Sequence, residues 1–371
     1  MTLPAPRPPR PRNPAVLAVG ALALLGGAVS LTACSAAIQN IGDLNNAHNE
    51  KEDLESKKQH YEEAAQTYYD GGKYGQSAVQ WRRLLELEPD RPKANWGLAK
   101  SLEMVGTPQA LRESIAIFER IIDWDWTHPT LGDRRHEVMK DFAQAYSELA
   151  DFYDEDIRVL KASLEDPKAE VGKIQLQIQQ QTAKRNELLQ KAIPLFQGAL
   201  QRSPNNPYCV AGLAKSYLIL GQDQLGIQYA RQYIAISVAN QTEWAQQLKD
   251  WEEGHGDVSE EQRAWFKDKI RGARDKEMKI RLLLGSVLVR DHDYYGAVKE
   301  YTRVLEIDPA KPAALVERAQ AYGMAGDYKK AIADLEQYMK ITDPVKQRQA
   351  RINAAELLDK YRMLSAKQSR P

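Results

Sequence analysis

From about Lys51 onward the apolar residues of this chain recur every three or four positions, and no stretch shows the sustained alternation of a half-buried strand. The pattern predicts an all-α protein. Its longest element runs through Val138, Phe142, Tyr146, Leu149, Tyr153, Ile157, Leu160 and Leu164, one apolar stripe on one continuous helix. Asp166-Pro167 ends that helix, because proline has no amide to donate and its ring crowds the preceding turn. Val171, Ile174, Ile178, Leu189, Ala192, Phe196 and Ala199 then mark a return helix. Residues 130–206 therefore read as an elongated, coiled-coil-like antiparallel hairpin. At about 1.5 Å per residue its added turns project roughly 20–30 Å. Residues 238–277 hold Trp244, Trp251 and Trp265, a Gly-His-Gly-Asp loop, and the capping box Ser259-x-x-Gln262. They predict an extra, inserted helical segment. Asp343-Pro344 is a cap and first-turn pair. Beyond it Ala354, Leu357, Leu358, Tyr361 and Leu364 share one stripe, so residues 343–371 read as a terminal capping helix and tail.

The shorter helices fall into a fixed frame. In the stretch from Tyr294 to Pro309, Ala297 is followed four residues later by Tyr301, then by Val304, then by Pro309. Setting Pro309 as position 32 of a 34-residue unit starts that unit at Met278 and puts Leu284 and Gly285 at positions 7 and 8. Small residues there let two helices approach closely. With Pro89 in the same place, a unit begins at Lys58 and carries Ala65, Tyr68, Ser77, Trp81 and Leu84. Pro204 closes a helix with Ala192, Phe196 and Ala199. Pro207 opens a unit with Leu213, Ala214, Tyr217, Gly221 and Tyr233, and Pro312 one with Ala319, Tyr322, Gly326, Ala331 and Leu335. A looser copy between Pro92 and Trp124 has Leu98, Ala99, Ile115 and Phe118.

These copies resemble the tetratricopeptide repeat, a helix–turn–helix unit. The resemblance covers most of residues 58–342. It implies a solenoid with N-terminal repeats in 51–129, the long hairpin as a lengthened repeat, a repeat in 207–237 and two in 278–342. In that family the first helix of each repeat lines a concave surface through positions 2, 5, 9 and 12. Here those positions include Tyr69, Trp96, Lys100, Tyr208, Lys215 and Lys279. Aromatic and basic groups together suit an extended or helical peptide of acidic character; the same residues also suit ordinary solvated helix surface. The lysine/asparagine pattern of the chaperone-binding carboxylate clamp is missing, since position 5 is Glu62 in the first repeat and Trp96 in the second.

Residues 1–33 differ from everything after them. A basic, proline-rich head is followed by an uncharged Ala/Leu/Gly-rich stretch, the layout of an export signal. Leu31-Thr32-Ala33-Cys34 resembles a bacterial lipobox. In that family the cysteine thiol receives a diacylglyceryl group and a peptidase cuts before it. The resemblance implies lipidation at Cys34, a signal peptide over 1–33 and a flexible polar tether over 34–50. Ser35 after the cysteine favours, by the enteric rule, the outer membrane facing the periplasm. An uncleaved membrane anchor and an ordinary secretory signal are the alternatives. No adjacent arginine pair marks twin-arginine export.

The 51 basic and 51 acidic residues balance. Arg7, Arg10 and Arg12 precede Cys34 and no acid does, so a product beginning there is net acidic. That is not the footprint of a nucleic-acid binder. Cys34 and Cys209 cannot form a disulfide framework. Asp123, Asp125, His128, Asp133 and His136 cluster in sequence, but they read as a polar loop and helix start rather than a metal centre. His255 and His292 fall in turns, and the tryptophans read as packing groups. There is no phosphate-cradling loop and no nucleophile elbow. The expectation is a non-enzymatic adaptor or scaffold without cofactor, held at the bacterial cell envelope by its lipid and binding protein partners. The alternative is a surface glycan-binding lipoprotein assisting a transporter.

Overall fold

The computed structural model describes residues 31–124, 126, 134–164, 169–254 and 259–368. Among the described residues there are thirteen helices and no strand. The basic head, most of the apolar stretch, Asp166-Pro167, Asp125, His128, Asp133 and His255 lie outside them. No helix of the described residues is long and apolar enough to cross a membrane.

By internal packing the chain divides into residues 1–63 and 64–371. The first unit is represented by the opening turns of α1 (Leu31–Asp70). Residues 34–50, expected to be a flexible tether, lie inside this helix. The stretch holds no proline and one glycine, Gly42, so little opposes helix. Further along, same-face pairs such as Lys57–Asp53 at 2.7 Å and Gln59–Glu63 at 2.7 Å support it.

The second unit begins with the last turns of α1 and α2 (Tyr74–Leu87). Then come α3 (Pro92–Val105), α4 (Pro108–Ile121), the long pair α5 (Arg135–Ser163) and α6 (Val171–Arg202), and α7 (Pro207–Ile219). A second long pair follows, α8 (Asp223–Gly254) and α9 (Glu260–Arg290). The array closes with α10 (Tyr294–Ile307), α11 (Pro312–Met324), α12 (Tyr328–Ile341) and α13 (Arg348–Gln368). From α2 onward each helix packs on its neighbours in chain order, and α7 also touches both α5 and α9 directly. Those odd-numbered helices are the first helices of their repeats.

The turn chemistry follows from the sequence. Pro92, Pro207 and Pro312 open first helices, where a missing amide costs nothing. Every turn from a first to a second helix that is built on a short repeat needs one left-handed residue. Gly72, Gly106, Gly221 and Gly326 supply it, and His292 takes the same role at φ 63° with its Nδ1 2.8 Å from the Tyr294 hydroxyl.

Residues 238–277, expected to be an inserted helix, instead lengthen the two repeat helices on either side. The end of α8 and the start of α9 run on without a breaker until Gly254, and the Ser259/Gln262 capping box starts α9 rather than a separate element. The chain thus has two long hairpins. α5–α6 lengthens a turn within a repeat and α8–α9 a turn between repeats. Consecutive helices alternate in direction, so these two kinds of turn leave the stack from opposite edges. Asp154–Arg185 at 2.6 Å and buried Ile157 tie the first hairpin. Phe266, buried between Trp251 and Trp265, ties the second. At the C-terminal end Asp343 Oδ1 accepts from the amides of Val345 and Lys346, α13 starts one turn later, and Ala354, Leu358 and Tyr361 are buried against the last repeat.

The core is built from aromatic rings seated on bare backbone. Tyr301, fully buried, lies on Gly285; a Cβ placed there would come within 2.5 Å of its ring. Trp81 on Gly97 and Phe196 on Gly212 repeat the arrangement between successive repeats. Gly285→Ala is therefore expected to lower stability to urea by about 1–3 kcal/mol, although alanine is the better helix former by about 1 kcal/mol. Gly172→Ala on α6, where an added Cβ meets nothing within 4 Å, leaves stability unchanged or raises it. Equal losses at the two positions would contradict this account of the helix spacing.

Candidate functional site

The first helices bring one polar and aromatic face together. On α3, Lys100 Nζ stands 5.2 Å from the centre of the Tyr69 ring and 5.3 Å from that of Trp96. Trp96 Nε1 donates to Asp141 Oδ2 on α5 at 2.8 Å, and Lys140 pairs with the other oxygen of the same carboxylate at 2.8 Å. On α7, Tyr208 is 49% exposed and is approached by two ammonium groups, Lys276 of α9 at 4.1 Å and Lys140 at 5.8 Å. Ammonium groups over rings are held by the negative face of the π system, by about 0.5–2 kcal/mol each. The face is thus continuous from α1 across α3, α5 and α7 to α9.

Its electrostatics are set by burial as much as by pairing. Glu103, one turn beyond Lys100, is only 5% exposed. Among the described residues no hydrogen bond or ion pair reaches its carboxyl. Burial raises its pKa well above the ordinary value, and the charges of Asp141 and Glu148 push the same way against Lys140 and Lys100. Burial likewise raises Glu148, opposed by a hydrogen bond from Gln144 and by Lys215. Lys140 loses by burial, but Asp141, Glu103 and Glu137 together outweigh that and hold its ammonium above the usual value. Lys276 keeps an exposed side chain, yet the surrounding protein displaces water and lowers its pKa, with Glu148 opposing. Burial also raises the Tyr69 phenol, with Glu103 and Asp141 adding to it.

Of the residues expected in the groove, Tyr69, Trp96 and Lys100 form one cluster and Tyr208 a second. Lys215 is held by α5: its ammonium donates to the Ser147 carbonyl at 2.9 Å, to the Ser147 hydroxyl at 3.0 Å, and pairs with Asp151. It pins α7 to α5 rather than facing solvent. Lys279 is exposed on α9 and acts on Lys276 through charge. Glu103, Lys140, Asp141, Glu148 and Lys276 are additions. Glu103 occupies position 12 of its repeat, the register of Tyr69, so the repeat frame already pointed to it. The others lie on lengthened helices, where a 34-residue frame has no numbering. Cys209 is buried and burial raises its thiol pKa to about 12, which makes it an inert packing group.

The tetratricopeptide repeat family model matches residues 62–122 and 282–344. The protein has the all-α tetratricopeptide fold, and such repeats are suggestive of a protein-interaction adaptor. No curated protein matches the chain in sequence. Solved structures that resemble it include a tetratricopeptide repeat protein from Parabacteroides merdae, at 13% identity over 83% of this chain and 93% of that one with a TM-score of 0.42. YrrB, described as a repeat protein with an unusual peptide-binding site, is similar at 15% identity over 71% and 92% with a TM-score of 0.40. TTC0263, a thermophilic repeat protein of Thermus thermophilus, is similar at 14% identity over 71% and 98% with a TM-score of 0.36.

The state of Glu103 is readable in the pH dependence of stability. Its folded pKa lies above the unfolded one, so the fold binds this proton more tightly than the unfolded chain does. The associated stability is complete below the ordinary carboxylate range and is lost as pH rises through the folded value. Glu103→Gln is neutral throughout. Urea unfolding at pH 5 and pH 8 is expected to show a decline in the wild type that is smaller in Glu103→Gln by about 1 kcal/mol or more, since a tenfold difference in proton affinity between fold and unfolded chain is worth about 1.4 kcal/mol. Identical declines in the two proteins would mean Glu103 is ionised in the fold.

Proposed function

We propose that this protein is a lipid-anchored, non-enzymatic adaptor of the bacterial cell envelope that holds a protein segment of acidic character on its concave face. The observation that carries the reading is the state of two lysines. Lys100 and Lys276 lie over aromatic rings of the first helices, and among the described residues neither forms an ion pair with a carboxylate. Cations kept over the half-buried Tyr69 and Trp96 rings and the exposed Tyr208 ring are ready for an incoming carboxylate, while Lys140 and Lys215 are already engaged by Asp141 and Asp151. The anchor reading rests on the sequence Leu31-Thr32-Ala33-Cys34 and on Ser35, which favours the periplasmic face of an outer membrane. A lipid with two or three chains holds far more firmly than one. The two long hairpins give the adaptor further surface on either edge of its repeats.

Affinity capture from envelope membranes tests the groove. Lys100→Gln and Lys276→Gln, both on side chains outside the core, are expected to weaken capture of a specific protein complex by about tenfold each, the scale of an interface anchor. Undiminished capture by both variants would overturn the groove, and saturable oligosaccharide binding without a protein partner would favour the glycan reading instead. For the anchor, Cys34→Ser is expected to abolish acyl labelling and signal cleavage in cells. Because Cys209 is buried, residual labelling of the Cys34→Ser protein cannot be assigned to it, and a variant still labelled and cleaved would sink the lipid anchor.

A further inference from the structure

We propose that Glu103 is the proton-carrying contact of the concave face, donating a hydrogen bond to a carboxylate of the docked acidic segment. The inference rests on the groove reading above and adds a residue and a pH response to it. Its basis is geometric. Glu103 belongs to the register that lines the groove, one turn beyond Lys100, and is 5% exposed. The polar groups around it are satisfied elsewhere: Asp141 by Trp96 and Lys140, Glu148 by Gln144, Lys215 by Ser147 and Asp151. Of the carboxyls in this cluster Glu103 is the one that no described residue partners. A carboxyl that no cation has claimed, standing beside lysines that face the groove, is a site prepared for a group from outside.

The chemistry of that group follows from the neighbours. The charged and titratable groups that face Glu103 are Tyr69 from α1, Lys100 from its own helix, and Lys140, Asp141 and Glu148 from α5, with Lys276 of α9 beyond them. Burial and the two acids push the Glu103 carboxyl toward its protonated form, and in the proposed complex that form presents an O–H donor and not a second negative charge. A buried acid held neutral in this way donates to an anion. An incoming carboxylate takes the Lys100 ammonium from its rings on one side and the Glu103 proton donor on the other. A basic segment would find Lys100, Lys140 and Lys276 opposing it. No bond is made or broken; the proton stays on Glu103 in the complex.

Binding is thereby linked to a proton. The probe is a fluorescein-labelled decaglutamate, with decalysine as its opposite, read by fluorescence anisotropy against the full chain from pH 6 to pH 8.5, where the probe is ionised throughout. Decaglutamate is expected to bind and to weaken by about threefold or more across that range. Lys276, whose own pKa is lowered, would weaken binding in the same direction, so two variants separate the causes. Glu103→Gln is expected to flatten the pH profile; Lys276→Met is expected to keep its slope, and serves alone if Glu103→Gln does not fold. Glu317→Gln, another carboxyl raised by burial but placed on α11 away from this face, is expected to keep the wild-type slope. A wild-type profile flat with pH, or a slope that persists in Glu103→Gln or vanishes in Lys276→Met, would overturn the proton-carrying role while leaving the groove reading intact. Preference for decalysine, or no binding of decaglutamate at any pH, would overturn the acidic occupant itself.

Discussion

The structure depends on one contact repeated along the chain, an aromatic ring resting on a helix that offers no side chain at that point. Tyr301 on Gly285, Trp81 on Gly97 and Phe196 on Gly212 each bring two helix axes closer than two ordinary side chains would permit. Close approach sets the spacing from one helix to the next, and that spacing decides whether first helices meet. Because α5 touches α7 and α7 touches α9, side chains from elements far apart in the chain share one face. Lys276 reaches Tyr208 and Trp96 reaches Asp141 only under that condition. Loosening the ring-on-glycine contact would therefore disturb that shared face before it disturbed any single residue on it.

The electrostatics of that face in turn rest on a competition between burial and pairing. Where an ammonium and a carboxylate can meet, as in Lys140–Asp141 and Lys215–Asp151, the charges are retained and serve to tie helices together. Where a carboxyl is buried among other acids, as Glu103 is, its pKa rises instead. Where a lysine finds a ring rather than a carboxylate, its charge remains available, as at Lys100 and Lys276. The same face thus holds polar groups in three different settings. Composition alone, with its even balance of acids and bases, conceals that division.

Much of the fold was legible from local spacing. The stripe from Val138 to Leu164 became α5, the frame closed by Pro309 became α9 and α10, and the stripe through Ala354 and Tyr361 packs the last helix onto the array. Each of these is a property of residues three or four apart, which a helix brings together whatever surrounds it. The site was legible only in part. Tyr69, Trp96 and Lys100 sit on short repeats where the frame numbers every position, and they do meet. Lys215 bears the right number but turns to α5, because Ser147 and Asp151 happen to lie across from it. Residues 238–277 look like an insertion when judged by repeat length, yet both halves continue helices already under way, and only the antiparallel packing of α8 against α9 makes them a hairpin.

By itself the sequence determined the helical period, the repeat frame, the left-handed turns and the residues that stand on the concave register. It also carries the short Leu-Thr-Ala-Cys signature on which the anchor reading depends. Tertiary structure decided which of the register residues are engaged by a neighbouring helix, that a second long hairpin leaves the other edge, and that Glu103 is buried among acids that raise its pKa. The reason is physical. Period and frame are written in neighbours along the chain, whereas a charge state depends on how much water and which opposite charges surround a group, and those are supplied by helices that the chain reaches only after it has folded.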